Sequence, residues 1–325
     1  MPNTPTTADQ VQLSIVKETT RGTTPATPAF DVMRFNSETL AADFGSTDSA
    51  ELSSIRGIVD TIPTQQTVSG AIEGYGCDND VYLSLLAAIV GDTVPPTTPI
   101  TAGHTLSSFT VEKRIPTGSA TYDYLRFVGC TPTRATINSN PGQPVTWSFD
   151  FVGGACTHAT TAITGATYTA PQLPVDVAIP YNAAETQVTF ASSLMGLASA
   201  EFTSCQLVLD GQVREIEVID NSVSGGGTKN ITQGRLKCSA SLSVLFQSLT
   251  SYQYLTNPNT TTASATIGLY GSGSATGSIV FNFGKAKPSA VSAPTPGTGE
   301  AVVALLEMEY IADETGTPEQ ISIVF

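Results

Sequence analysis

The sequence predicts a mainly β protein built from antiparallel sheets with one wet face, and three observations carry that prediction. Across 325 residues there are 47 Thr, 31 Ser, 28 Gly and 20 Pro, a composition of strands and turns joined by polar loops. Apolar residues alternate with hydroxyl or charged ones over many short stretches. Helical signals are few and short. Hydrophobic residues make up 40% of the chain, enough for a core, which excludes disorder throughout. The Ala/Glu/Lys/Leu/Arg-rich composition of a coiled coil is absent.

Taken in order, residues 11–16 place Val11, Leu13 and Ile15 on one face. Residues 145–151 repeat the pattern with Val145, Trp147, Phe149 and Phe151 against Thr146, Ser148 and Asp150. The longest case is 235–246, where Leu236, Cys238, Ala240, Leu242, Val244 and Phe246 oppose Arg235, Lys237 and three serines. Apolar on one side and hydroxyl or charge on the other is the mark of an antiparallel sheet with one face in water. Further strands are predicted over 32–35, 66–74, 107–115, 124–138, 186–191, 202–209, 213–219, 263–270, 277–284, 301–311 and 320–325.

Two short helices are predicted, each packing one face on a sheet. The first spans 78–90, with Asp78 or Asn79 as N-cap, apolar Val81, Leu85, Leu86 and Ile89, and Gly91 as the stop. The second spans 246–256 and ends at Asn257-Pro258. Ahead of both, residues 36–64 form a long polar stretch without strong periodicity, expected to be a functional arm that orders against a neighbour. Residues 155–185 are Ala/Thr/Pro-rich and read as a connector between two β-rich halves, 1–154 and 186–325. No internal repeat is clear residue by residue, although both halves carry an arm, strands and one short helix, which leaves room for a faint duplication.

Charge narrows the function. The formal net charge is −14, and Lys113-Arg114 is the largest run of adjacent bases, so avid binding to nucleic acid is disfavoured. An acidic protein can still stay close to DNA without holding it. The opening MPNTPTTADQ has neither a basic region nor an apolar stretch, so no secretory signal is read there. The longest nearly apolar run, Val81 to Val90, is too short for a membrane helix, which needs ~20 residues. Cys77, Cys130, Cys156, Cys205 and Cys238 are widely spaced without a C-x-x-C pair and read as buried free thiols in a reducing compartment.

The residues of known chemistries are mostly missing. His104 and His158 sit in Thr/Gly/Ala-rich loops, away from any zinc-ligand spacing. No serine stands in a G-x-S-x-G elbow. Gly225-Gly226-Gly227-Thr228-Lys229 lacks the spacing of a phosphate loop and leads into a strand, and Gly271, Gly273 and Gly277 miss the dinucleotide pattern. Glu215/Glu217 and Glu307/Glu309 are paired carboxylates on single strand faces, suited to glycosidase or calcium chemistry or, more simply, to a solvated acidic face. No cofactor is called for.

An ordered series of features remains. It begins with Glu18-x-x-x-Gly22-x-x-Pro25, continues through Ser53-Ser54-Ile55-Arg56 and Asp60 in the arm, and passes Val68-Ser69-Gly70 and Phe127-Val128-Gly129-Cys130. It ends with FTSCQLVLDG, SLSVLFQ and EMEYIAD…GTPEQISIVF. In this order the chain resembles the tail tube proteins of long-tailed bacteriophages, from about residue 11 to the C-terminus. The resemblance implies a β-sandwich or split barrel with one or two flanking helices. It also implies hexameric rings whose inner sheets join as one continuous β-barrel, stacked into a tube for genome delivery. The implied partners are other copies of the chain, a tail-tip or baseplate initiator, a tape measure protein and a tail terminator. DNA would pass without specific binding, in a virion tail assembled in the host cytoplasm with no membrane anchor.

On this basis Leu40, Ile55, Arg56, Ile58, Val59 and Asp60 are expected at contacts between rings or subunits, and Glu215, Glu217, Glu307 and Glu309 on an acidic lumen or surface. Two other classes remain open at this point. A capsid decoration or surface-binding β-sandwich would stay a discrete monomer or trimer, and a carboxylate glycosidase would lose turnover with Glu215→Gln or Glu307→Gln.

Overall fold

The computed structural model of the chain describes residues 7–51, 57–76, 80–118, 121–140, 143–171, 189–190, 202–217, 229–245, 265–270, 278–293, 302–312 and 321–325. It is mainly β, with one α-helix among the described residues. The first part of the chain contains β1 (Gln12–Lys17), β2 (Ala29–Met33), β3 (Ser37–Glu38), β4 (Ala41–Asp48), β5 (Thr61–Tyr75), α1 (Asp80–Val90), β6 (Ile100–Thr101), β7 (Phe109–Gly118), β8 (Thr121–Ser139) and β9 (Thr146–Gly153). Next come β10 (Ala155–Ala159), β11 (Thr167–Thr169), β12 (Thr189–Phe190), β13 (Phe202–Asp210), β14 (Val213–Glu217) and β15 (Lys229–Gln233). The last are β16 (Lys237–Leu245), β17 (Ala265–Tyr270), β18 (Ser278–Phe283), β19 (Lys285–Ser292), β20 (Val303–Ile311) and β21 (Ile321–Val324).

Strand β8 organises the molecule. Its first half pairs with β7 on one side and β10 on the other, and its second half pairs with β9 and β13. The change of partners falls at Gly129, whose φ of 68° lets the strand bend out of one layer and into another. One branch continues through β7 and β1 to β2 and β11, and the other runs β4-β5-β9-β8-β13-β16-β20-β19. A separate sheet is ordered β12-β17-β18-β21-β6, and β14 with β15 forms a two-stranded hairpin.

The alternation read from sequence becomes the dry face of the large sheet. Trp147, Phe149 and Phe151 of β9 and Cys238, Ala240, Leu242 and Val244 of β16 are all buried. Each large side chain withdrawn from water contributes about 1.5–3 kcal/mol. The second sheet closes over this face. Phe283 of β18 stacks on Tyr310 of β20, with centroids 3.8 Å apart and planes 11° apart.

Helix α1 corrects the expectation of a helix with one face on a sheet. Nine of its residues are buried, from Val81 to Val90 with only Ser84 excepted, and it packs against β8, β13 and β6. The stretch VYLSLLAAIV is apolar almost all round, which suits a helix enclosed by sheets and not one at a surface. Tyr82 meets Trp147 edge-on and Phe149 at a tilt, both at 5.7 Å, while its hydroxyl donates to the Arg34 carbonyl.

Two further differences concern regions without periodicity. The 36–64 stretch contains β3, β4 and the start of β5, so the arm is a β-hairpin. Most of β4 is exposed, and a ribbon wet on both faces has no apolar side to alternate. Within 155–185, β10 pairs with β8 and β11 pairs in parallel with β2, so these two strands extend the first half's sheet, while residues 172–185 lie outside the described residues. Polar composition is what edge strands carry. The helix predicted over 246–256 lies outside the described residues.

Candidate assembly surface

The arm is anchored at its root. Leu40 is buried, Thr39 N–H donates to the Ala71 carbonyl at 2.9 Å, and Thr39 Oγ1 accepts from Ala71 N–H at 2.9 Å. Glu38 accepts from Leu40 N–H at 3.1 Å and pairs with Lys113 of β7. Gly70 faces this root with φ 150°, and a Cβ there would lie 2.5 Å from the Thr39 oxygen and 2.6 Å from Leu40 Cα. Only glycine allows so close an approach.

Beyond the root the hairpin enters solvent with large apolar side chains. Phe44 and Ile58 are each 69% exposed, Val59 58% and Ile62 52%. The neck below the tip is closed locally: Ser49 N–H donates to the Asp60 carbonyl at 2.9 Å, and Asp60 Oδ1 accepts from Thr61 N–H at 2.8 Å. Asp48 accepts from the Thr61 hydroxyl.

Of the residues expected at contacts, Ile58, Val59 and Asp60 are therefore exposed on the arm. Leu40 is corrected: it belongs to the core and anchors the hairpin, because the side chain points back between the sheets. Ile55 and Arg56 lie outside the described residues. Phe44 and Ile62 were missed, and their signal is faint, since a single aromatic in AADFGST looks the same whether it ends buried or bare.

A buried carboxylate fixes the framework behind the arm. Glu18, 4% exposed, accepts four hydrogen bonds: Oε2 from Gly22 N–H (2.7 Å) and Ser108 Oγ (2.8 Å), Oε1 from Thr110 Oγ1 (2.8 Å) and Gly129 N–H (2.8 Å). These donors tie the turn after β1, the start of β7 and the bend of β8 to one group. Gly22 also has positive φ, 77°. The Glu18-x-x-x-Gly22 spacing thus has a physical cause, a carboxylate reaching the amide four residues on.

A second knot involves Glu112, which is fully buried on β7. Arg126 Nε donates to its Oε2 at 2.7 Å and the Tyr168 hydroxyl to its Oε1 at 2.6 Å. Burial, followed by that hydrogen bond, pushes the Tyr168 hydroxyl's pKa up. Tyr168 stacks on Phe30, and together these contacts hold β11 in place.

The outward face of the large sheet is mostly hydroxyl and charged groups. One row in register reads Ser148, Thr136, Val208, Ser239, Glu309 and Lys287 across six strands. The row beside it reads Asp150, Arg134, Asp210 and Lys237, alternating in sign. Glu307 and Glu309 are exposed here, with Lys287 directly opposite Glu309. Glu215 lies elsewhere, its Oε1 4.0 Å from Arg21 Nη2, and burial lowers that guanidinium's pKa against the pull of Glu215 and Glu18. Glu217 ends β14. Among the described residues no group of three or more His, Cys, Asp or Glu is placed to hold a metal ion.

A model of the phage tail tube protein family matches residues 8–312. The chain belongs to the phage tail tube protein family. It is a structural component of a bacteriophage virion tail that associates with copies of itself. No curated protein matches the chain.

Proposed function

We propose that the chain polymerises as stacked rings and that the resulting tube is the conduit through which the genome enters the host, with no catalytic step. The arm is the observation that most supports this. Phe44, Ile58, Val59 and Ile62 hold apolar surface in water on a hairpin whose root is locked, and such surface marks a protein contact. In this proposal the arm docks on the adjacent ring, where Ile55 and Arg56 join the contact and Asp60 keeps the neck closed. Stacking along the axis is an open heterologous contact, so it propagates.

The polar face of the large sheet lines the channel. Hydroxyls, amides and charges of alternating sign offer phosphates no basic patch to rest on, so duplex DNA slides past Glu307 and Glu309 without being held. The two sheets around α1 are the split-barrel framework. A tail-tip or baseplate initiator and a terminator cap the two ends, a tape measure protein occupies the channel before DNA does, and assembly takes place in the host cytoplasm.

Negative-stain electron microscopy of the concentrated protein, with its mass by light scattering, tests this. Rings or tubes with a central channel are the expected result. A compact oligomer without a channel would overturn it in favour of a decoration module.

A further inference from the structure

The strand order of the large sheet contains the same pattern twice. In the first half the path is β4-β5-β9-β8, and in the second it is β13-β16-β20-β19. Each set is wholly antiparallel and follows one chain order: a hairpin of the first two strands, then the strand that ends at the far edge, then the strand inserted between. The outer strands repeat as well. β1-β7-β8-β10 in one half matches β12-β17-β18-β21 in the other, with the same pairings.

Details of register strengthen the match. β8 bends at Gly129 between its two sets of partners, and β18 and β19 are separated only by Gly284. Beyond each bend stands a proline followed by a one-residue irregularity, between Pro132 and Arg134 against β9 and between Pro288 and Ala290 against β20. Helix α1 follows β5, and the helix-period stretch 246–256, outside the described residues, directly follows β16. Each half also carries a hairpin where its first two inner strands are joined, the outer end of β4–β5 in the first and β14–β15, which lies in sequence between β13 and β16, in the second.

The two halves meet through β8 and β13, the far edge of the first set and the near edge of the second, with Arg134 opposite Asp210. At the ends of the eight-stranded path, β4 and β19 pair on one side only among the described residues.

We propose that the chain is two tube units fused in tandem, and that the seam inside it is repeated between chains, β19 of one copy pairing antiparallel with β4 of the next. This rests on the conduit proposed above. A ring of six units then needs three chains, and three times eight inner strands close a 24-stranded barrel. At the usual spacing and tilt of strands such a barrel is roughly 45 Å across between backbones, an open channel for duplex DNA. Six chains would double that width. Closure also covers both open edges, which otherwise invite aggregation.

The register follows from the equivalences. Pro132 matches Pro288, which places Ala290 at the position of Arg134. Following the pairings from β19 through β20 and β16 to β13, and from β8 through β9 and β5 to β4, places Asp43 at the position of Asp210. Ala290 therefore faces Asp43 of the partner subunit. Opposed Cα atoms in an antiparallel pair lie ~4.5–5.5 Å apart, within the span of a disulfide.

The test is the full chain carrying Asp43→Cys and Ala290→Cys, oxidised under assembling conditions and run on a non-reducing gel, with each single variant as control. Covalent species that build up to three chains and stop there are expected. A ladder ending at six overturns the three-chain ring, and no linked species beyond those of the single variants overturns the seam. Microscopy of the same sample separates the two proposals: channel-bearing rings without the cross-link sink only the seam, whereas neither rings nor cross-link sinks both.

Discussion

Glu18 and Phe44 stand at opposite extremes of the same half of the molecule. Glu18 is a charged group taken out of water, and each of its oxygens accepts two hydrogen bonds, one of the four from nearby Gly22 and three from residues 90 or more positions away. Phe44 is an aromatic left in water at 69% exposure. Each inverts the ordinary preference of its residue type. The inversion at Glu18 is compensated within the chain, while Phe44 stays in water in the single chain, where the proposed contact would cover it. The residues that hold the fold are thus separate from those proposed to meet the next subunit, so fold and assembly should be separable by mutation.

Four experiments break or sharpen that contrast, in order of their expected effect on folding. Glu18→Ala strands two amides and two hydroxyls in the interior, and a loss of about 3–5 kcal/mol is expected in denaturant titrations; an unchanged midpoint would falsify the clasp. Gly70→Ala forces a methyl against the Thr39 and Leu40 backbone, and about 2–3 kcal/mol should be lost together with the arm's fixed root. A variant as stable as the parent would mean that the root gives way freely.

The third concerns pH. Burial pushes the Cys205 and Cys238 thiols from 9.0 up to about 12, so the folded chain keeps protons that the unfolded chain releases above about pH 9. Their contribution to stability is complete below that pH and is lost as pH rises through about 12. The expected slope is a loss of up to ~1.4 kcal/mol per pH unit for each thiol across that window. Burial moves Cys130 and Tyr310 in the same direction. Urea midpoints from pH 8 upward should fall, and less steeply in Cys205→Ala/Cys238→Ala; a flat profile would contradict buried thiols. Last, Phe44→Ser with Ile62→Ser should change stability by no more than about 0.5 kcal/mol yet remove tubes from micrographs. Tubes of normal length from this variant would take the arm out of the assembly.

Much of the fold was legible because side-chain alternation is a local consequence of strand geometry. Trp147, Phe149 and Phe151 had to share a face once that segment was extended, and the apolar stretch ending at Gly91 had to be a helix or a buried strand. The candidate site was less legible. The exposed Ile58 and Val59 were singled out inside a polar stretch, but the similarly exposed Phe44 and Ile62 were not, because a hairpin wet on both sides leaves no period to read.

The sequence by itself determined the strand faces, the site of α1, the lack of any run of bases longer than Lys113-Arg114 and the Glu18–Gly22 spacing, all of which depend on neighbours within a few residues. Only the tertiary structure decided that α1 is enclosed, that residues 155–169 return to the first sheet, and that Glu18 gathers donors 90 to 111 residues away. It also decided the strand order β4-β5-β9-β8-β13-β16-β20-β19. Those outcomes depend on which edges meet when the chain closes on itself, and a period along the chain carries no information about which distant edge it will find.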